Sequence, residues 1–125
     1  MRLPLSCRGP AVALLVAAGP LLPACSSDSP GQAAERVVQR FFTQLPTGDC
    51  AQLGALLVAS SPEACARTVR ELNEHTVRLQ EVLSTQVDGR SPDAVMVKAR
   101  LSYGTLVKSQ VLRVERHAGT WRLRL

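Results

Sequence analysis

Ala94-Val95-Met96-Val97-Lys98-Ala99-Arg100-Leu101-Ser102-Tyr103 alternates apolar and polar side chains, and its reading decides the fold class. Successive side chains of a strand point to opposite faces, so Val95, Val97, Ala99 and Leu101 share one side while Lys98, Arg100 and Ser102 take the other. Downstream, Gly104 interrupts the pattern and residues 106–116 resume it. His117-Ala118-Gly119 marks a turn, and residues 120–125 set Trp121, Leu123 and Leu125 against Arg122 and Arg124. Upstream, residues 77–87 read as a further strand, blurred at Leu79-Gln80-Glu81-Val82-Leu83, where the pattern predicts a bulge or a late helix end. Asp88-Gly89 and Ser91-Pro92-Asp93 mark the turn between these two strands. The side chains expected to face inward are Val95, Val97, Ala99, Leu101, Leu112, Val114, Trp121 and Leu123.

Before residue 77 the apolar period lengthens to that of a helix. Ser29-Pro30-Gly31-Gln32 combines a cap, a first-turn proline and a capping box, and Ala34, Val37, Val38, Phe41, Phe42 and Leu45 then fall on one broad face. Pro46-Thr47-Gly48 ends that helix. A second helix is predicted over residues 50–59, capped by Asp49 with Gln52 completing a box and with Leu53, Leu56 and Leu57 inward. A third follows Ser61-Pro62-Glu63 and carries Cys65, Val69 and Leu72 inward. Helices first and an antiparallel meander after define an α+β class: two to three helices on a curved sheet of about four strands, over residues 32–125.

The N-terminal end reads as an address. Arg2 and Arg8 make it positive, residues 11–22 (AVALLVAAGPLL) form a 12-residue apolar stretch, and Leu22-Pro23-Ala24-Cys25 leads into Ser26-Ser27-Asp28-Ser29. A bilayer span needs about 20 apolar residues, so this segment has secretory-signal length. Ordinary cleavage asks for small residues at −1 and −3, and Leu22 at −3 is too large. The four residues ending in Cys25 resemble a bacterial lipobox, with Pro23 a departure from its usual pattern. The resemblance implies removal of residues 1–24, a diacylglyceryl group on the Cys25 sulfur and a polar tether over residues 25–31. Two acyl chains hold a protein stably where one holds it only marginally. The expected location is therefore a bacterial cell membrane or outer membrane, with the domain facing the periplasm or exterior.

Cys7 leaves with the signal and Cys25 takes lipid, so Cys50 and Cys65 remain in an oxidising compartment. The expectation is a disulfide closing a loop of about 16 residues, which the chain-entropy estimate puts at about 3 kcal/mol. Free buried thiols are one alternative. A metal or redox site is the other, supported by no C-x-x-C and by His75 as the sole further candidate ligand.

Composition bounds the rest. Apolar residues reach 46% and charged residues 20%, enough for a packed body, but the aromatics are only Phe41, Phe42, Tyr103 and Trp121. Loss of Arg2 and Arg8 takes the formal charge from +5 to +3, too little to argue for nucleic acid in a chain with so few stacking side chains.

Taken together, the helix with Val37-Val38 and Phe41-Phe42, the stretch Leu45-Pro46-Thr47-Gly48-Asp49-Cys50, the leucine-rich short helix with a second cysteine, and the terminal Gly119-Thr120-Trp121-Arg122-Leu123 resemble the nuclear transport factor 2-like cone fold. The likeness covers residues 30–125 and is strongest to its small lipoprotein members with a paired-cysteine helical half. That resemblance implies helices wrapped on a curved sheet around a potential pocket, in a family of isomerases, dehydratases, small-molecule binders and domains without known activity. Fold alone decides nothing among these.

The family's enzymes place an Asp, His or Tyr inside the cone, whereas every inward strand position here is apolar, so no catalytic residue carries over. G-x-S-x-G, a phosphate loop and H-E-x-x-H are missing too, and neither a cofactor nor a metal is expected. His75 and His117 read as surface residues, and Tyr103 and Gln110 as exposed or at a pocket mouth. The leading expectation is a non-catalytic interaction module that meets an envelope protein. The alternative is a binder of a small apolar ligand, with Phe41, Phe42, Tyr103 and Trp121 as pocket lining. Arg113, Arg122 and Arg124 are candidate contacts for an anionic surface, with an ordinary solvated face as the plain reading.

Overall fold

A computed structural model describes residues 28–58 and 61–125. The signal segment, Cys25 and the first residues of the tether, 25–27, lie outside the described residues. Chain order is α1 (Pro30–Gln44), a 3-10 turn (Leu45–Thr47), α2 (Cys50–Leu53), a second 3-10 turn (Gly54–Leu56), α3 (Pro62–Glu74), then β1 (Val77–Asp88), β2 (Ser91–Tyr103), β3 (Leu106–His117) and β4 (Thr120–Arg124). The four strands form one antiparallel sheet in the order β1-β2-β3-β4, so the α+β arrangement expected from the sequence is the one observed.

The first helix begins as its sequence dictates. Ser29 Oγ accepts the Gln32 N–H at 3.2 Å, and the Gln32 side-chain oxygen accepts the Ser29 N–H at 3.0 Å. This reciprocal box satisfies two donors that a helix start leaves without partners. Ala34, Val37, Val38, Phe41 and Phe42 are buried along one face. Gly48, at φ 67°, turns the chain out of the helical region, where a residue with a Cβ would be strained. Asn73 on α3 donates to the Leu45 carbonyl at 2.9 Å, tying α3 to the end of α1.

The second helix is shorter than the sequence predicts. It stops at Leu53, passes through the 3-10 turn, and Leu57 adopts extended backbone instead of continuing to residue 59. Gly54 favours helix poorly, and Leu57 finds a better partner: it bridges Leu123 in parallel while the Val58 N–H donates to the Leu123 carbonyl at 2.9 Å. Asp49 caps α2 through the Ala51 N–H at 3.0 Å, without the expected reciprocal bond from Gln52.

The blurred alternation of the first strand is bulged: the β1–β2 register shifts between Leu79 and Glu81 and again between Val82 and Ser84. The following turn is tighter than expected, consisting of Gly89 and Arg90, with Ser91 already opposite Asp88. Pro92 is tolerated in β2 because it falls in an irregular stretch at the strand start, where no ladder N–H is required of it. At the last hairpin Ala118 (φ 51°) and Gly119 (φ 82°) both take positive φ, the pattern of a type I′ turn, whose twist matches that of the flanking strands.

Val77, Val95, Val97, Ala99, Leu101, Leu112, Val114 and Leu123 make the sheet's buried face, and with the helices' Phe41, Leu45, Leu53, Cys65 and Val69 they form one core. Seven of the eight strand positions expected to face inward are buried there. Trp121 is the departure, half-exposed at the rim. Against that core, Gly31 allows α1 to lie close on β1, since a Cβ there would stand 2.5 Å from Thr85 Oγ1. A disulfide joins Cys50 at the start of α2 to Cys65 in α3, with Cα atoms 6.1 Å apart. Reduction, or Cys50→Ala with Cys65→Ala, lowers unfolding free energy by about 3 kcal/mol, read as a fall in the urea midpoint. An unchanged midpoint would show that the bridge contributes nothing. Thr76 sits just past α3 at φ 51°, costly for a β-branched residue, so Thr76→Gly raises stability by about 1 kcal/mol in the same assay.

Candidate functional site

Among the described residues, the four aromatics expected to line a pocket stand in different surroundings. Phe41 and Phe42 are both inside the core, their rings perpendicular with centroids 5.2 Å apart, an edge-to-face pair. Tyr103 stands half-buried at the end of β2, its hydroxyl bonded to the Gln110 side chain and the Lys108 ammonium 5.6 Å from its ring centroid. Trp121 is covered by the Arg116 guanidinium, 5.1 Å from its ring centroid, and Arg116 in turn donates to Asp93 at 2.9 Å. Three hollows on the described surface are open, and none of them has Phe41, Tyr103 or Trp121 in its wall. Phe42 borders one of them, beside Gln39, Thr43, Arg78 and Leu79.

The physical reason is spacing on α1. Adjacent residues of a helix point about 100° apart, and here both directions meet protein, because α1 packs against all four strands on one side and against α2 on another. Phe41 is wholly core, and Phe42 is buried with one side toward the hollow it borders.

The arginines are brought together, and with carboxylates. Alternation along β3 puts Arg113, Glu115 and His117 on the face opposite the core, and the β3–β4 register sets Arg124 across from Arg113 and Arg122 across from Glu115. Glu115 is the hub. Its carboxylate accepts from Arg124 Nε at 2.7 Å and Nη2 at 2.9 Å, and from Arg113 Nε at 2.7 Å, with His117 Nε2 at 2.9 Å. Arg113 also donates through Nη1 to Asp88 at 3.0 Å, reaching across β2 to the end of β1. One strand further in, Arg100 pairs with Glu81.

Arg124, Arg113 and His117 all hydrogen-bond the ionised form of Glu115, and together they hold its carboxyl far below the usual glutamate range. The Arg90 backbone N–H, at 2.9 Å, and then Arg113 do the same for Asp88 to a smaller degree. Two of the three arginines offered as anionic-surface contacts are thus already neutralised within the sheet. Arg122 is the member without an ion pair among the described residues. Sequence reading missed Glu115 and Asp88, although a two-residue turn at Ala118-Gly119 would have set Arg122 across from Glu115 by counting.

The two histidines lie apart, His75 capping the end of α3 and His117 ending β3. Among the described residues no group of three or more His, Cys, Asp or Glu side chains is placed to hold a metal ion, and no helix is long and apolar enough to cross a membrane. Comparison with known family models and with curated proteins finds no match for this chain.

The charge network has a signature in acid. Because the folded state lowers the Glu115 pKa, its stabilisation is complete above the ordinary glutamate range and is lost as pH falls below it. Glu115→Gln lowers stability at pH 7 by about 1 kcal/mol, the upper end for exposed ion pairs. The difference from wild type shrinks on titration toward pH about 2, followed by urea unfolding at each pH. A gap independent of pH would show that the carboxylate's charge is not what stabilises.

Proposed function

We propose that this chain is an exported lipoprotein, held to a bacterial membrane through lipid on Cys25, whose α+β domain serves as a non-catalytic interaction module in the envelope. The observation that carries this reading is the run from Arg2 through the short apolar stretch to Leu22-Pro23-Ala24-Cys25, with a polar spacer before the cap of α1. The bonded pair Cys50–Cys65 supports it, since disulfides persist in compartments outside the reducing cytosol. The order of helices followed by an antiparallel meander agrees with the likeness to small nuclear transport factor 2-like lipoproteins. An interior of valine, leucine, alanine and phenylalanine leaves the exposed face and edges of the sheet as the means by which an envelope protein would be met.

The test is chemical. In a bacterial host fed an alkyne-tagged fatty acid, the full-length chain takes up label and fractionates with membranes, and its processed N-terminus is an acylated Cys25 by mass spectrometry. Cys25→Ser abolishes both labelling and processing. A processed start elsewhere, or an unmodified thiol on Cys25, overturns the reading.

A further inference from the structure

Helix α1 runs antiparallel to β1 on the inner face of the sheet, with Gly31 against Thr85 and Phe42 beside Leu79. Its first turn therefore shares one end of the sheet with the Gly89-Arg90 and Ala118-Gly119 turns, and the Gly104 hairpin stands at the other. Three residues separate Cys25 from Ser29 in the sequence. Those four chain steps span at most about 14 Å, at about 3.6 Å each when fully extended. A lipid on Cys25 thus keeps the α1 end of the sheet close to the bilayer, whatever path the chain takes between them.

That end carries the side chains an anionic bilayer surface attracts. Trp121, the chain's single tryptophan, is half-exposed there, with one ring face under the Arg116 guanidinium. Val87, near the end of β1, is 43% exposed. The acids of this end are already occupied: Asp88 by Arg113, Asp93 by Arg116, and Glu115 by Arg113 and Arg124. Arg90 and Arg122 have no acidic partner among the described residues, so the surplus charge is positive. Indole rings settle at the level of lipid headgroups, and cations are drawn to the negative potential of anionic lipids.

We propose that this end of the domain docks on the anionic phospholipid headgroups of the membrane that holds Cys25. Trp121 enters the headgroup layer, Arg90 and Arg122 face the phosphates, and the sheet stands on end with the Gly104 hairpin away from the bilayer. The proposal rests on lipidation of Cys25 and adds an orientation to it. The acyl chains supply the anchoring, and the short tether makes the second contact intramolecular, so that contact needs little affinity of its own.

Trp121 is its own probe. The full-length chain is made in a bacterial host, extracted in detergent and reconstituted into vesicles of phosphatidylcholine and phosphatidylglycerol that carry a nitroxide on the headgroup. Trp121 emission shifts to the blue and is quenched, and both effects fall in vesicles of phosphatidylcholine alone. Arg90→Glu with Arg122→Glu lowers the ratio of docked to free domains by at least about thirtyfold, since each cation near an anionic surface contributes about fivefold. Lys108→Glu, at the opposite end, leaves the quenching unchanged. Trp121→Phe with Tyr103→Trp moves the one indole to the far end, where it escapes the nitroxide; circular dichroism checks that each variant folds. Mass spectrometry of the same vesicles separates two failures. No lipid on Cys25 overturns this proposal together with the reading beneath it. An acylated Cys25 with Trp121 unquenched, quenched equally in neutral vesicles, or quenched no more than the indole at position 103, overturns the docking alone.

Discussion

Everything in this domain depends on how α1 beds its apolar face on the sheet. With four aromatics in the whole chain, two of them are spent on consecutive positions of one helix, Phe41 and Phe42, and both are buried. The surface that receives them is made of short side chains, Val95, Val97, Ala99 and Leu101 on β2 with Leu112 and Val114 on β3. Small residues below and large ones above let the layers interdigitate, and fully burying each large side chain stabilises by about 1.5–3 kcal/mol before the entropy of ordering is counted. Gly31 belongs to the same arrangement, since it brings the first turn of α1 against Thr85.

The segment between α1 and β1 contains little regular structure and is held by other means. Four residues of α2 and a 3-10 turn cannot sustain themselves, because helices this short are unstable alone. The Cys50–Cys65 bridge links this segment to α3, the Leu57–Leu123 contact links it to the last strand, and the Asn73 amide links α3 back to the end of α1. Covalent, sheet-like and side-chain bonds thus close a ring around the same Leu45, Leu53 and Leu56 cluster.

Much of this was legible in the sequence, and the reasons are local. Ser29-Pro30 and Ser61-Pro62 announce helix starts through short-range hydrogen bonds, and clean alternation on β2 announces a half-buried strand. What was not legible depends on residues far apart in the chain. Leu57 leaves its helix because Leu123 is there to receive it, and no window of ten residues contains both. Trp121 alternates inward as expected yet stops at the rim, since what covers it is Arg116 rather than a helix. The arginines of the last two strands looked like an unopposed patch because residue type was read without register. Once β3 and β4 are aligned, Glu115 lies among them.

The close contact between Gly31 and Thr85 also fixes which end of the sheet the start of α1 occupies. Thr85 lies near the Gly89-Arg90 end of the sheet, so the first turn of α1 packs at that end. The Gly104 end of the β2–β3 hairpin is joined instead to the tail of α3, through the Gly104 N–H and the Thr76 carbonyl at 3.4 Å. From Thr85 to Val77, eight steps at about 3.3 Å per residue, is roughly 26 Å along β1. The start of α1 and the Gly104 hairpin thus stand at opposite ends of β1, one fixed by a missing side chain and the other by a backbone hydrogen bond.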